Sequence, residues 1–273
     1  QVDTCRPDLI QAAHQEARRR KIPFQIHAAQ TMVEFTEMLR RHGTTPIQWL
    51  DSLGVLDNQS IIGHCIYLDH HSWTSLRTSE DLPLLAEKNV TVAHCPTVFG
   101  RTGMTLESFG GYVRAGVNLG IGIDSFPFNM LEELRHAAIY SRITAGNVHD
   151  VTTTSVFNAA TLGGAQALLR EDIGRLTEGA KADFSVVDTE HPLMQPGREP
   201  LRNLIYIAAE RAIKDVYVDG IKVVDDGKVL TMDYDNALGE IDAAQKRAIQ
   251  RVPELDAKKR TLDDIAPMAF PVL

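Results

Sequence analysis

The sequence has few cysteines, no long apolar run and no excess of basic charge. Its three cysteines, Cys5, Cys65 and Cys95, show no C-x-x-C spacing, so neither a zinc ribbon nor a disulfide framework is indicated. No run of about 18 apolar residues occurs, and no transmembrane helix is expected. The 28 Lys and Arg are outnumbered by 36 Asp and Glu, for a net charge of −8. That argues against nucleic acid or an anionic membrane as the partner. The one basic run, Arg18-Arg19-Arg20-Lys21, reads as a solvated helix end, where cations face the negative end of the dipole. There is no low-complexity segment. The first residues, Gln1-Val2-Asp3-Thr4, lack signal-peptide character, and a reducing cytoplasm is the expected compartment.

What is present is an ordinary globular composition, 44% hydrophobic and 23% charged over 273 residues, with a regular pattern inside it. Four short apolar stretches each end in a residue that can bind a metal or move a proton. They are Ile22–His27, Ile61–His64, Val90–His94 and Val117–Asp124. Each is short, apolar and bounded by polar or turn residues, as a buried strand should be. Their last residues lie 37, 30 and 30 positions apart, and a strand with its crossover helix needs about 30. The pattern predicts α/β architecture, with about four βα units of a (β/α)8 barrel. In such a barrel the C-terminal strand ends converge on one site, so His27, His64, His94 and Asp124 are expected to face one another. Taken singly, each histidine could be a hydrogen-bonded core residue, and Asp124 could cap the following helix.

Between these strands the pattern predicts helices over 31–41, 46–53, 82–88, 106–115 and 130–143, preceded by one that begins at Pro7-Asp8, a good helix start. A loop over 97–105 carries Arg101. A later loop carries Phe126 and Phe128. Cys65 and Cys95, directly after strand-end histidines, read as small apolar fillers. Beyond residue 150 the pattern changes. Residues 152–169 are helical, 182–188 read as a strand, and Asp219-Gly220 is a strong hairpin signal. Asp183, Asp219 and Asp226 are expected in turns of a small β-rich appendage, followed by a charged helix over 236–251.

Several motifs carry a family resemblance. They are His27-Ala28-Ala29-Gln30-Thr31, Gly63-His64-Cys65, Ala93-His94-Cys95-Pro96, Gly122-Ile123-Asp124, Asn158-Ala159-Ala160-Thr161, Gly174-Arg175-Leu176 and Gly179-Ala180-Lys181-Ala182-Asp183. In this order, over roughly residues 1–235, the chain resembles the C-terminal part of a metal-dependent amidohydrolase, in the branch of cytosine and guanine deaminases and triazine hydrolases. The resemblance implies that residues 1–168 are the C-terminal half of the hydrolase barrel, 169–232 a small β-rich composite domain, and 233–273 a C-terminal helix and tail. It implies one divalent metal, zinc first and iron second, with His27, His64 and Asp124 as candidate ligands. Asp124 would also take a proton from the attacking water. His64 would polarise the substrate and His94 would lie near it. Independently of the resemblance, Arg101 and Phe126, on loops after strand ends, are candidates to hold an anionic or carbonyl group and to stack on a flat ring.

The departures are informative. Family members carry a His-x-His pair on the first barrel strand, and no such pair stands in a fitting place here; His70-His71 are adjacent. Half a barrel leaves sheet edges unpaired, so an N-terminal half-barrel, in the same protein or a partner chain, is expected, and a homo-oligomer by analogy. Gln30 replaces the usual proton-shuttling glutamate, and an amide cannot ionise. The expected reaction is hydrolysis of a C–N bond in a cyclic or heteroaromatic small molecule. The rivals are hydrolytic removal of a halide or thiolate, which needs little leaving-group protonation, and a non-catalytic barrel that binds or assembles.

Overall fold

The computed structural model describes residues 1–76, 78–126 and 128–270. Helix α1 (Pro7–Arg20) leads into β1 (Phe24–Ala28). Then follow α2 (Met32–His42), α3 (Pro46–Ser52), β2 (Ser60–His64), α4 (Asp81–Glu87), β3 (Thr91–His94), α5 (Pro96–Gly100), α6 (Phe109–Arg114), β4 (Asn118–Ile121) and α7 (Met130–Thr144). The four strands form one parallel sheet in the order β1-β2-β3-β4. The register is simple: Gln25 pairs with Ile61, Ile62 with Val92, and Val92 with Leu119. Sequential order with intervening helices is the arrangement of a barrel segment.

The helices start and stop where their sequence chemistry says. The Thr31, Thr45 and Asn129 side chains accept the N–H three residues on at the starts of α2, α3 and α7, and Gly43 ends α2 at φ 70°, a left-handed cap that glycine adopts without strain. The core lies between sheet and helices. Ile26, Ala28, Ile62, Val92 and Leu119 are buried against Met38, Leu50, Leu85, Phe109 and Leu134.

The apolar side of α1 is only partly covered. On α1, Ile10 and Ala17 are buried, but Leu9 and Ala13 stay exposed. They line an open trough with Phe24, Gln25 and Ile26 along the free edge of β1.

The expected helix over 152–169 contains a π-helical turn, Ala159–Gly163, between α8 (Thr153–Asn158) and a last turn Gly164–Ala167. Gly163 explains the close fit there. A Cβ on it would lie 2.0 Å from the Leu119 carbonyl oxygen of β4, and the Asn118 amide donates to the Gly163 carbonyl at 3.1 Å. The second sheet is an antiparallel meander of β5 (Phe184–Val187), β6 (Ile213–Val218), β7 (Ile221–Asp225) and β8 (Lys228–Val229). Its tight turns place Asp219 and Gly220 at φ 52° and 76°, and Asp226 and Gly227 at 46° and 76°, as a mirror-image hairpin turn requires. Asp183 accepts the Asp219 N–H, so these aspartates do serve turns. A 22-residue helix, Tyr234–Leu255, follows with none of its residues buried. No helix among the described residues is long and apolar enough to cross a membrane.

Candidate active site

His27 lies near the C-terminal end of β1, and its ring runs across Gly63, its register partner on β2. His64, at the end of β2, pairs with Ala28. Side chains alternate along strands, so this register alone would put the two imidazoles on opposite faces. Backbone strain overrides it. His64 has φ 82° and Cys65 φ 45°, left-handed values that cost a non-glycine residue about 1–3 kcal/mol. The rings of His27 and His64 then lie 4.8 Å apart at 71°. Surrounding bonds hold this turn. The Tyr112 hydroxyl donates to the Cys65 carbonyl at 2.5 Å, and the Ile66 and Tyr67 N–H groups donate to the Ala29 carbonyl at 2.8 and 2.9 Å.

His64 is 2% exposed, and neither ring nitrogen has a hydrogen-bond partner. Phe99 packs on it with ring centroids 4.4 Å apart. Burial, and then the charge of His27, push its pKa down to about 4. It is a neutral imidazole near pH 7, the form that accepts a proton or ligates a cation. His94 ends β3 and is also buried. Burial, with His64 as the second cause, pushes its pKa down to about 3.

The expectation that the fourth strand ends at Asp124 needs correction. Strand β4 stops at Ile121, and Gly122 adds one further ladder bond by donating to the His94 carbonyl at 2.9 Å. Asp124 stands in the following turn at φ 63°. Its Oδ2 still reaches within 3.7 Å of His64 Nε2. Residues 97–105 also differ from a plain loop, because Pro96 starts helix α5, its ring being suited to a first helical position. Arg101 follows that helix, and its guanidinium carbon lies 3.8 Å over the Phe126 ring. Thus the structure brings His27, His64 and Asp124 together, and joins Arg101 to Phe126. Phe128 is 84% exposed.

Gln30 sits on the turn after β1, and its Oε1 is buried without a partner. Sequence reasoning missed what holds it. Glu34, 1% exposed, accepts the N–H groups of Ala29 at 2.6 Å and Gln30 at 3.1 Å. The Thr31-x-x-Glu34 spacing of a capping box was the available signal, although the carboxylate reaches past the cap to the turn after β1. Phe99 and Glu133, both buried here, were also missed. An ordinary phenylalanine and an acid in the first turn of a helix give no signal of their own.

Among the described residues, no three His, Cys, Asp or Glu side chains form a metal-holding cluster. The donor chemistry nevertheless fits a divalent cation. His64 is neutral, buried and unpartnered on both nitrogens, with an imidazole on one side and a carboxylate on the other. Neutral imidazole and carboxylate together suit zinc.

Four parallel strands in sequential order, with His27, His64 and His94 at their C-terminal side and Asp124 in the turn beyond the fourth, have the architecture of a (β/α) barrel segment. The profile of the amidohydrolase family matches residues 2–224, and the chain belongs to that family. It is 30% identical over 253 residues to a 5-methylthioadenosine/S-adenosylhomocysteine deaminase of Pelotomaculum thermopropionicum, covering 91% of this chain and 56% of that protein. Among solved structures it is similar to an adenosine deaminase from Xanthomonas campestris with bound zinc, at 27% identity and TM-score 0.83, covering 90% and 55%. An atrazine chlorohydrolase from Arthrobacter aurescens, complexed with zinc, shares the fold at 23% identity and TM-score 0.77, covering 87% and 52%. The chain spans about half the length of the curated relatives it matches.

Proposed function

We propose that this chain is the C-terminal half of a metal-dependent hydrolase that deaminates an aminated heteroaromatic ring of the adenosine kind. The carrying observation is the meeting of His27 and the unpartnered, buried His64 at the ends of β1 and β2 with Asp124 from the turn beyond β4. A divalent metal, zinc before iron, would be held by His27, His64 and Asp124, and when bound it lowers the pKa of a water towards about 7. Asp124 would accept a proton from the attacking water, and neutral His64 would hydrogen-bond the ring atom where negative charge develops. Gln30 faces the leaving amine as donor and acceptor. His94 lines the ring. Arg101 and Phe126 hold the outer part of the substrate, by charge and by stacking.

Since these residues do not close a metal cluster by themselves, the remaining donors belong to an N-terminal half-barrel. That half also covers the free β1 edge and its trough. We divide the chain at 168 and 232, as above, and propose a homo-oligomer in the cytoplasm. The deaminase relatives favour amine over halide or thiolate as the leaving group, and a family of hydrolases disfavours a merely binding barrel.

The test is metal removal from the complete protein, with methylthioadenosine as substrate. Deamination should vanish with a strong chelator and return with zinc. Turnover that persists while no metal remains bound would overturn the proposal.

A further inference from the structure

Glu133 lies on the first turns of α7 and is wholly buried. Its Oε2 accepts the Thr97 N–H at 3.0 Å, and its Oε1 has no partner. A buried carboxylate with an idle oxygen is a costly way to satisfy one N–H, so packing alone does not account for it. One helical turn on, His136 Nδ1 meets the Thr97 hydroxyl at 2.7 Å and stacks on Tyr140 at 5.0 Å and 5°. Gly100 lets α5 lie flush on that stack, since a Cβ there would come within 2.4 Å of the Tyr140 ring. Helix α5 is therefore seated on α7 at both ends. From this seat it presents Phe99 to the His64 imidazole and Arg101 to Phe126.

We propose that Glu133 is a positioning residue for the site, acting through Thr97 to set α5 so that Phe99 orients the His64 imidazole. This deepens the hydrolase reading above and rests on His64 belonging to that site. The carboxylate acts as an acceptor of fixed length, and its charge is not required. Glu133→Gln keeps that acceptor. Glu133→Met keeps the volume and removes it.

The experiment uses the complete, zinc-loaded protein, methylthioadenosine as substrate and 13C-histidine NMR, the His64 signal being assigned by its loss in His64→Gln. Loss of a residue that orients a ligand typically costs about 10–100-fold in activity. In Glu133→Met, kcat should fall by about that factor with KM changed by less than about threefold, a split that marks lost orientation rather than lost binding. The His64 ring protons should shift as Phe99 moves. Glu133→Gln should stay near wild type on both readouts. A purely structural role would lower the melting temperature without moving the His64 signal, and that result overturns the proposal. So does equal loss in the Gln and Met variants. If Glu133→Met does not fold, Glu133→Leu, which likewise leaves the Thr97 N–H without its acceptor, is judged the same way: a shifted His64 signal supports the proposal, and an unshifted one overturns it. If the unsubstituted protein does not deaminate the probe, the functional reading fails, while the NMR comparison still decides this one.

Discussion

Gly63→Ala is the sharpest test of the site geometry. A methyl group on Gly63 would lie 2.8 Å from His27 Cδ2 and 3.5 Å from its Cγ and Nε2. Carbon atoms settle at about 3.5–4.0 Å, so the imidazole must retreat by about 0.7–1.2 Å. Productive site geometry tolerates about 0.5 Å, and a displacement of about 1 Å can cost about 100-fold in rate. Overpacking of this size costs about 1–3 kcal/mol in stability, not enough to unfold a typical domain. The expected result is kcat lowered about 100-fold and zinc affinity at least about 10-fold, with a folded protein. Zinc affinity is read by competition with a chromophoric chelator, and kcat on methylthioadenosine. Gly120→Ala in β4 is the matched control, because its new methyl would meet only Thr91 Cγ2 at 3.9 Å, an ordinary contact. Unchanged zinc affinity and kcat in Gly63→Ala would refute the placement of His27 in the site. An equal loss in Gly120→Ala would show a general response of the sheet instead.

Gln30→Glu should raise deamination by about 10-fold or more, since a carboxyl can deliver the proton that ammonia needs; an unchanged rate would mean that another group already supplies it. Glu34→Ala leaves the N–H groups of Ala29 and Gln30 without their acceptor, at about 1–3 kcal/mol each, so the urea midpoint should report a loss of about 2–6 kcal/mol, and a loss under about 1 kcal/mol counts against the clamp. Asp81, buried beneath the turn after β2, has its pKa pushed up from 3.8 to about 6, burial outweighing the bonds from Thr45 and Gln48. The native state therefore binds this proton more tightly than the unfolded chain does, so the stabilisation is complete below about pH 4 and is lost as pH rises through about 6. Two pKa units amount to about 3 kcal/mol. Relative to Asp81→Asn, the unsubstituted protein should lose on the order of 2–3 kcal/mol between pH 4 and 7 in urea titrations, and parallel pH profiles would contradict this.

Much of the architecture was legible from local chemistry. Apolar runs at βα spacing, Thr and Asn caps and the Asp-Gly turns are near-neighbour effects, so the parallel sheet, its helices and the small meander could be placed to within a few residues. His27, His64 and Asp124 could be singled out as candidates for a different reason, because strand ends in such a fold converge wherever they fall in the chain.

Other features depended on groups far apart in sequence. Strand alternation would have separated the imidazoles of His27 and His64, and only the left-handed turn at His64, tied to Ala29 and Tyr112, brings them side by side. Asp124 reaches His64 from a turn beyond its strand, and Arg101 finds Phe126 across two loops. The burial of Glu34 and Glu133 could not be read from their helices, since acids near a helix start are ordinarily solvated. Sequence by itself determined which elements form and which residues stand at their ends, because propensity, capping and turn chemistry act over a few residues. Tertiary structure decided which of those ends touch, which carboxylates lose water and which backbone turns carry strain, because these are set by packing between segments that the chain keeps dozens of residues apart.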